Sequence, residues 1–175
     1  DATGTIKKRI ILKVSDYRSS FVQGCFLAKK GLWVSEYRIE SGLNCGGHAF
    51  VSDGYLLGPI LEEFKKKKSE LIATILKICN EALHAKNLKP FAKAPYTRIT
   101  AQGGIGTAKE NSFLLKFFQV DGTGWATPFL LCPEATNVDQ VTLQKLCAAT
   151  ENDIELSEVS PLGVPFHNLK ESPSE

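Results

Sequence analysis

The chain has 175 residues and a formal net charge of +2. So small a charge does not point to nucleic acid or a charged membrane surface as partner, and no apolar run approaches the roughly 20 residues of a membrane-spanning helix. The length suits a single domain with a real core, read here as residues 1–169 followed by a polar tail, 170–175.

The first strand is predicted over Lys8–Val14, a run rich in Ile, Leu and Val. A helix is predicted around Phe21–Lys30, closed by Gly31 as a C-terminal capping glycine. The second strand, Ser35–Glu40, runs into a glycine-rich turn that ends in Gly46-Gly47-His48. A long helix follows over Pro59–Lys86. Pro59 suits a first helical turn, and Phe64, Leu71, Ile75, Ile78, Cys79 and Ala82 recur at steps that place them on one face. The third strand is Arg98–Ala101, ending in Gln102-Gly-Gly-Ile-Gly106. A helix is predicted around Ala108–Phe118, a fourth strand over Gly124–Leu131, and a last helix from an Asp139 cap through Ala149.

Strands alternating with helices predict an α/β fold built from βαβ units on a parallel sheet. Four such units are half of a (β/α) barrel of TIM type, and a whole barrel takes about 250 residues. The chain has no Met and begins with Asp, so it is read as one segment, about four βα units, of a longer protein. A half-barrel has two open edge strands, which invite the missing half or a second copy as partner.

The five cysteines are odd in number and widely spaced, with neither CxxC nor a Cys/His pair at zinc spacing. They read as reduced, mostly buried thiols of a cytoplasmic protein without a metal site. Cys45, beside the glycines, has no neighbour in sequence that would activate it.

Gly103-Gly104 sits where a strand ends and a helix begins. Glycine lets backbone N–H groups approach a ligand there, and the helix start adds unpaired donors and partial positive charge. The pattern fits neither GxGxxG nor the P-loop, and a plain connecting turn is the alternative reading. His48 lies at the carboxyl end of a strand, the side on which barrel active sites gather, and is a candidate acid or base. His84, near a helix end, and His167, in a late loop, read as histidines without chemistry. Thr127, with Ala126, lies on the fourth strand, where it could complete a phosphate site. Lys65–Lys68, among Glu62, Glu63 and Glu70, reads as a solvated helix face. Trp125 and Phe129 read as core or pocket wall.

In order and spacing these motifs resemble the second half of the nitronate monooxygenase family (2-nitropropane dioxygenase-like), which includes flavin-dependent enoyl-acyl-carrier-protein reductases. Gly42-Leu-Asn-Cys-Gly-Gly-His48 matches the family's Gly-x-x-Ala-Gly-Gly-His turn. Gly103-Gly104-Ile105 matches its Gly-Gly-Ile turn. Val120-Asp121-Gly122 and Ala126-Thr127-Pro128-Phe129 stand where the family has Ala-Asp-Gly and Gly-Thr-Arg-Phe. Ser41, Cys45, Ala126 and Pro128 depart from the pattern, and the connection holding the long helix is much longer than the family's.

The resemblance places these units as the last four of the barrel and implies an FMN-dependent oxidoreductase acting on a small nitronate-like substrate. Gly103, Gly104, Ala126 and Thr127 would hold the FMN phosphate. Gly46 and Gly47 would lie beside the flavin, and His48 would handle the proton or position substrate. Two alternatives stay open: a flavin-dependent enoyl-thioester reductase, and a non-catalytic phosphate-ligand or assembly module.

Overall fold

The computed structural model describes residues 8–40, 56–125, 137–157 and 166–171. It is an α/β structure. Strands β1 (Ile10–Val14), β2 (Val34–Glu40), β3 (Arg98–Gln102) and β4 (Gly122–Gly124) form one sheet in the order β1-β2-β3-β4, and every neighbouring pair is parallel. Between them run helices α1 (Tyr17–Ala28), α2 (Leu57–Ala85) and α3 (Ala108–Phe117). Helix α4 (Gln140–Ala148) and the antiparallel pair β5 (Ile154–Ser157) and β6 (Phe166–Leu169) follow. Among the described residues no helix is long and apolar enough to cross a membrane.

Parallel pairing sorts the strand side chains onto two unlike faces, because successive residues point to opposite sides. Val14, Tyr37, Ile39, Ile99 and Ala101 share the apolar face and are almost fully buried. Helix α2 lays Phe64, Leu71, Ile75 and Cys79 into the same core. Helix α3 reaches this face through Asn111, whose side-chain oxygen accepts from the Thr123 hydroxyl at 2.7 Å. Helix α1 is seated by Gly24, which lies directly against the Tyr37 hydroxyl. A bulge against β1 between Ile10 and Ile11 brings Val34 onto this face beside Tyr37.

The opposite face is polar. Glu36 is only 6% exposed. Its Oε1 accepts from Arg38 Nε and Nη2 at 3.3 and 3.2 Å and from the Thr100 hydroxyl at 2.9 Å. Its Oε2 faces Arg98 Nη1 at 3.3 Å. Lys13 pairs with Glu40 across β1 and β2. Arg38, Arg98 and Lys13 keep 42, 44 and 52% of their side-chain surface open. All-parallel sheets are normally covered on both faces, so this open, charge-paired face sets the sheet apart from a doubly wound one.

Several elements differ from the sequence expectation. Helix α1 begins at Tyr17 rather than near Phe21, because the Asp16 carboxylate accepts the Ser19 N–H at 2.7 Å and caps an earlier turn. The fourth strand begins at Gly122 rather than Gly124. Asp121 draws it in by donating its N–H to Ile99 O at 2.7 Å while its carboxylate accepts the Ile99 N–H at 2.7 Å. Residues 126–131 of that expected strand lie outside the described residues. His167 stands on β6, opposite Leu156, rather than in a loop.

The lysine run also does more than line a solvated face. Lys66 and Lys67 pair with Glu62 and Glu63 one turn back, at 3.2 and 2.6 Å. Lys65, however, donates to Phe117 O at 2.7 Å and sits 4.4 Å from that ring's centre. Lys68 reaches Asp121 Oδ2 at 3.1 Å. Two of the four lysines therefore tie α2 to the end of α3 and the start of β4.

Candidate functional site

The turn after β3 is built by two consecutive left-handed glycines. Gly103 has φ 76° and Gly104 φ 67°, a region that costs other residues about 1–2 kcal/mol. The chain leaves the sheet here with no Cβ on its outer side. Gly103 N–H donates to Gly124 O at 3.2 Å, so this donor stitches β3 to the end of β4. Gly104 is exposed, Ile105 is buried beneath it, and neither N–H has a partner among the described residues.

Helix α3 starts three residues further on and supplies its own anion. Thr107 Oγ1 accepts the Glu110 N–H at 3.3 Å. Glu110 Oε2 accepts from Gly106 N, Thr107 N and Thr107 Oγ1 at 3.0, 2.9 and 3.0 Å. This is a capping box extended by one residue. The Gly106 N–H, then the Thr107 hydroxyl and N–H, hold the Glu110 carboxyl below the ordinary carboxylate range, so it is ionised at neutral pH.

On the polar face, Gln102 closes this end of the sheet. Its side-chain amide lies over Gly124, where a Cβ would come within 1.7 Å of Gln102 Oε1. On the apolar face, Trp125 is half-buried against the core and donates through Nε1 to the Thr123 hydroxyl at 3.1 Å.

The predicted site residues divide in two. Gly103 and Gly104 lie together at the carboxyl end of β3. His48, Gly46, Gly47, Ala126 and Thr127 lie outside the described residues. Sequence reasoning overlooked Glu110, although Thr107 three residues before a Glu is the signature of a capping box. It also noticed Asp121 only as part of a motif. Among the described residues, no group of three or more His, Cys, Asp or Glu side chains is placed to hold a metal ion. Cys25, Cys79 and Cys147 are free thiols, half-buried, buried and exposed in turn.

The described structure thus defines an α/β chain with a one-sided parallel sheet and a glycine turn at the sheet's carboxyl end. Comparison with family models, curated proteins and solved structures finds no match.

Proposed function

We propose that the chain is the phosphate-gripping portion of an FMN-dependent oxidoreductase with a (β/α)-barrel architecture, acting on a small nitronate-like substrate. The observation that carries this reading is the pair of left-handed glycines at the carboxyl end of β3. Parallel α/β folds bind ligands at that end of their strands. The consecutive strand order and the helices α1–α3 on one face support the barrel, because a barrel carries its helices on the outside only.

The turn fits a phosphate in one part and resists it in another. The N–H groups of Gly104 and Ile105 are the donors for a phosphate oxygen. The start of α3 is less suited, since the Glu110 carboxylate already takes its first donors. A phosphate on Gly104 therefore sits beside a like charge. The flavin, when bound, supplies the redox chemistry. The chain would hold its phosphate at Gly104 and Ile105 and, by the resemblance, at Ala126 and Thr127. His48 would handle the proton at the substrate.

Glu110→Gln removes the like charge while keeping the side chain's shape. FMN affinity is expected to rise about two- to fivefold at low salt, the size of one charge at a helix terminus, read by quenching of flavin fluorescence. A fall in affinity would show that Glu110 helps build the site and would overturn this placement of the phosphate.

A second reading, a non-catalytic assembly module, is favoured by the open polar face of the sheet. It predicts a chain that associates through that face and binds no flavin.

A further inference from the structure

At the opposite, amino end of the sheet, the polar face holds a groove of about 470 Å³. We propose that this groove binds a small planar carboxylate with an apolar body, such as an aryl carboxylate. The inference does not use the flavin reading. The groove lies at the start of β3 and the glycine turn at its end, about 13 Å apart over four strand residues.

Two arginines line the groove and differ in their commitments. Arg98 is held in place: Nη1 faces Glu36 Oε2 at 3.3 Å and Nη2 donates to Asp121 O at 3.3 Å. Arg9 is exposed and has no partner among the described residues. Its guanidinium is a free planar fork of the kind that matches a carboxylate in two parallel hydrogen bonds. Glu36 also borders the groove. Its negative charge is balanced by Arg38, Arg98 and the Thr100 hydroxyl, so it does not cancel the field of Arg9. Two guanidiniums to one screened carboxylate make this an anion's site.

The rest of the lining decides what kind of anion. Ile11 is 47% exposed and Tyr96 71% exposed, and Pro95 stands beside the tyrosine. Exposed aromatic rings are usually free to swing. Tyr96 is pinned, because its hydroxyl donates to Asp121 Oδ1. A fixed ring, a proline and an isoleucine beside a free guanidinium suit a flat apolar body ending in a carboxylate. Bare phosphate would use the arginines but leave this wall unfilled. Ser35 also borders the groove.

The test titrates the chain with benzoate, benzamide and inorganic phosphate, followed by amide chemical shifts. Benzoate is expected to bind saturably, at least about tenfold more tightly than benzamide or phosphate, shifting Ile11, Ser35 and Tyr96. Arg9→Gln, an exposed change that leaves the core untouched, should weaken benzoate at least about tenfold, the loss of one charged hydrogen-bonded contact. It should leave FMN binding unchanged. Tyr96→Leu should weaken benzoate while leaving phosphate as it was. Equal binding of benzoate and benzamide, binding indifferent to Arg9→Gln, or shifts confined to other residues would each overturn the proposal.

Discussion

Asp121→Ala is expected to lower the unfolding free energy by about 2–4 kcal/mol, most of it from the orphaned buried donor and the rest from two solvent-screened contacts worth at most about 1 kcal/mol each. The Asp121 carboxylate accepts from the Ile99 N–H at 2.7 Å, from Lys68 at 3.1 Å and from the Tyr96 hydroxyl. It therefore joins β3, α2 and the segment before β3 at one point. Alanine leaves the Ile99 N–H without its acceptor in a residue only 4% exposed. Asp121→Asn keeps an oxygen for that N–H, loses the charge and presents an NH2 that the Tyr96 hydroxyl must now accept, so its cost should be the smaller. Urea unfolding followed by circular dichroism separates the two variants. Equal costs would mean that charge, not the Ile99 bond, is what matters.

The same carboxylate gives the fold a pH dependence of definite sign. Burial alone would raise its pKa. The hydrogen bonds from Tyr96, the Ile99 amide and Lys68 outweigh burial and hold it below the ordinary Asp value. A carboxyl more acidic folded than unfolded stabilises the fold fully above its unfolded pKa, near 3.9. That stability is lost as pH falls through the lower, folded value. Wild type should therefore lose stability more steeply than Asp121→Asn as pH drops from about 5 towards 2. A wild-type curve as flat as the variant's would contradict this.

Gly24 and Tyr37 should show a strong coupling. Tyr37 is 1% exposed, and its hydroxyl is buried without a partner among the described residues. A Cβ on Gly24 would stand 2.3 Å from that hydroxyl and 2.9 Å from Ile75 Cδ1. Gly24→Ala should destabilise by about 1–3 kcal/mol from overpacking, despite a gain in helix propensity of up to about 1 kcal/mol. Tyr37→Phe removes the orphaned hydroxyl and should stabilise by about 1 kcal/mol or more. With that oxygen gone, the nearest ring atom is Tyr37 Cζ at 3.4 Å, and the close approach that remains is to the movable end of the Ile75 side chain at 2.9 Å. Gly24→Ala should then cost clearly less than in the wild type. The double-mutant cycle is expected to give a coupling above about 1 kcal/mol, and additivity within about 0.5 kcal/mol would refute the contact.

How legible the fold was depended on how local its causes are. Strands β1 to β3 and helix α2 could be read because their patterns are long and their apolar residues repeat on one face. The one-sided sheet was not read. Glu36, Arg38 and Arg98 lie inside sequences that otherwise look like ordinary strands, and only register brings Arg98 opposite the Glu36–Arg38 pair. The pair β5–β6 was missed because both strands are short, and the solvent-facing Ile154 and Leu156 give β5 no inward apolar period. Asp121 was legible as a motif residue but not as a strap, since its partners come from residues 22 to 53 positions away.

The candidate site was legible only in outline. A glycine pair between a strand and a helix predicted a turn open to a ligand, and both glycines adopt the left-handed conformation. The direction of the donors was not readable. Gly103 spends its N–H on Gly124, a choice set by the approach of β4. Glu110 takes the start of α3, a local effect that Thr107 and Glu110 could have announced.

The proposed grip of the Gly103-Gly104 turn on the phosphate of FMN is tested by comparing FMN with riboflavin, which lacks only the phosphate, by fluorescence titration of the 175-residue chain and of Gly104→Ala. FMN is expected to bind at least about tenfold more tightly than riboflavin, the value of one or two charge-assisted hydrogen bonds. Gly104→Ala should abolish that preference while riboflavin binding stays as it was. Equal affinity for the two flavins, no binding of either, or a preference untouched by Gly104→Ala would contradict it.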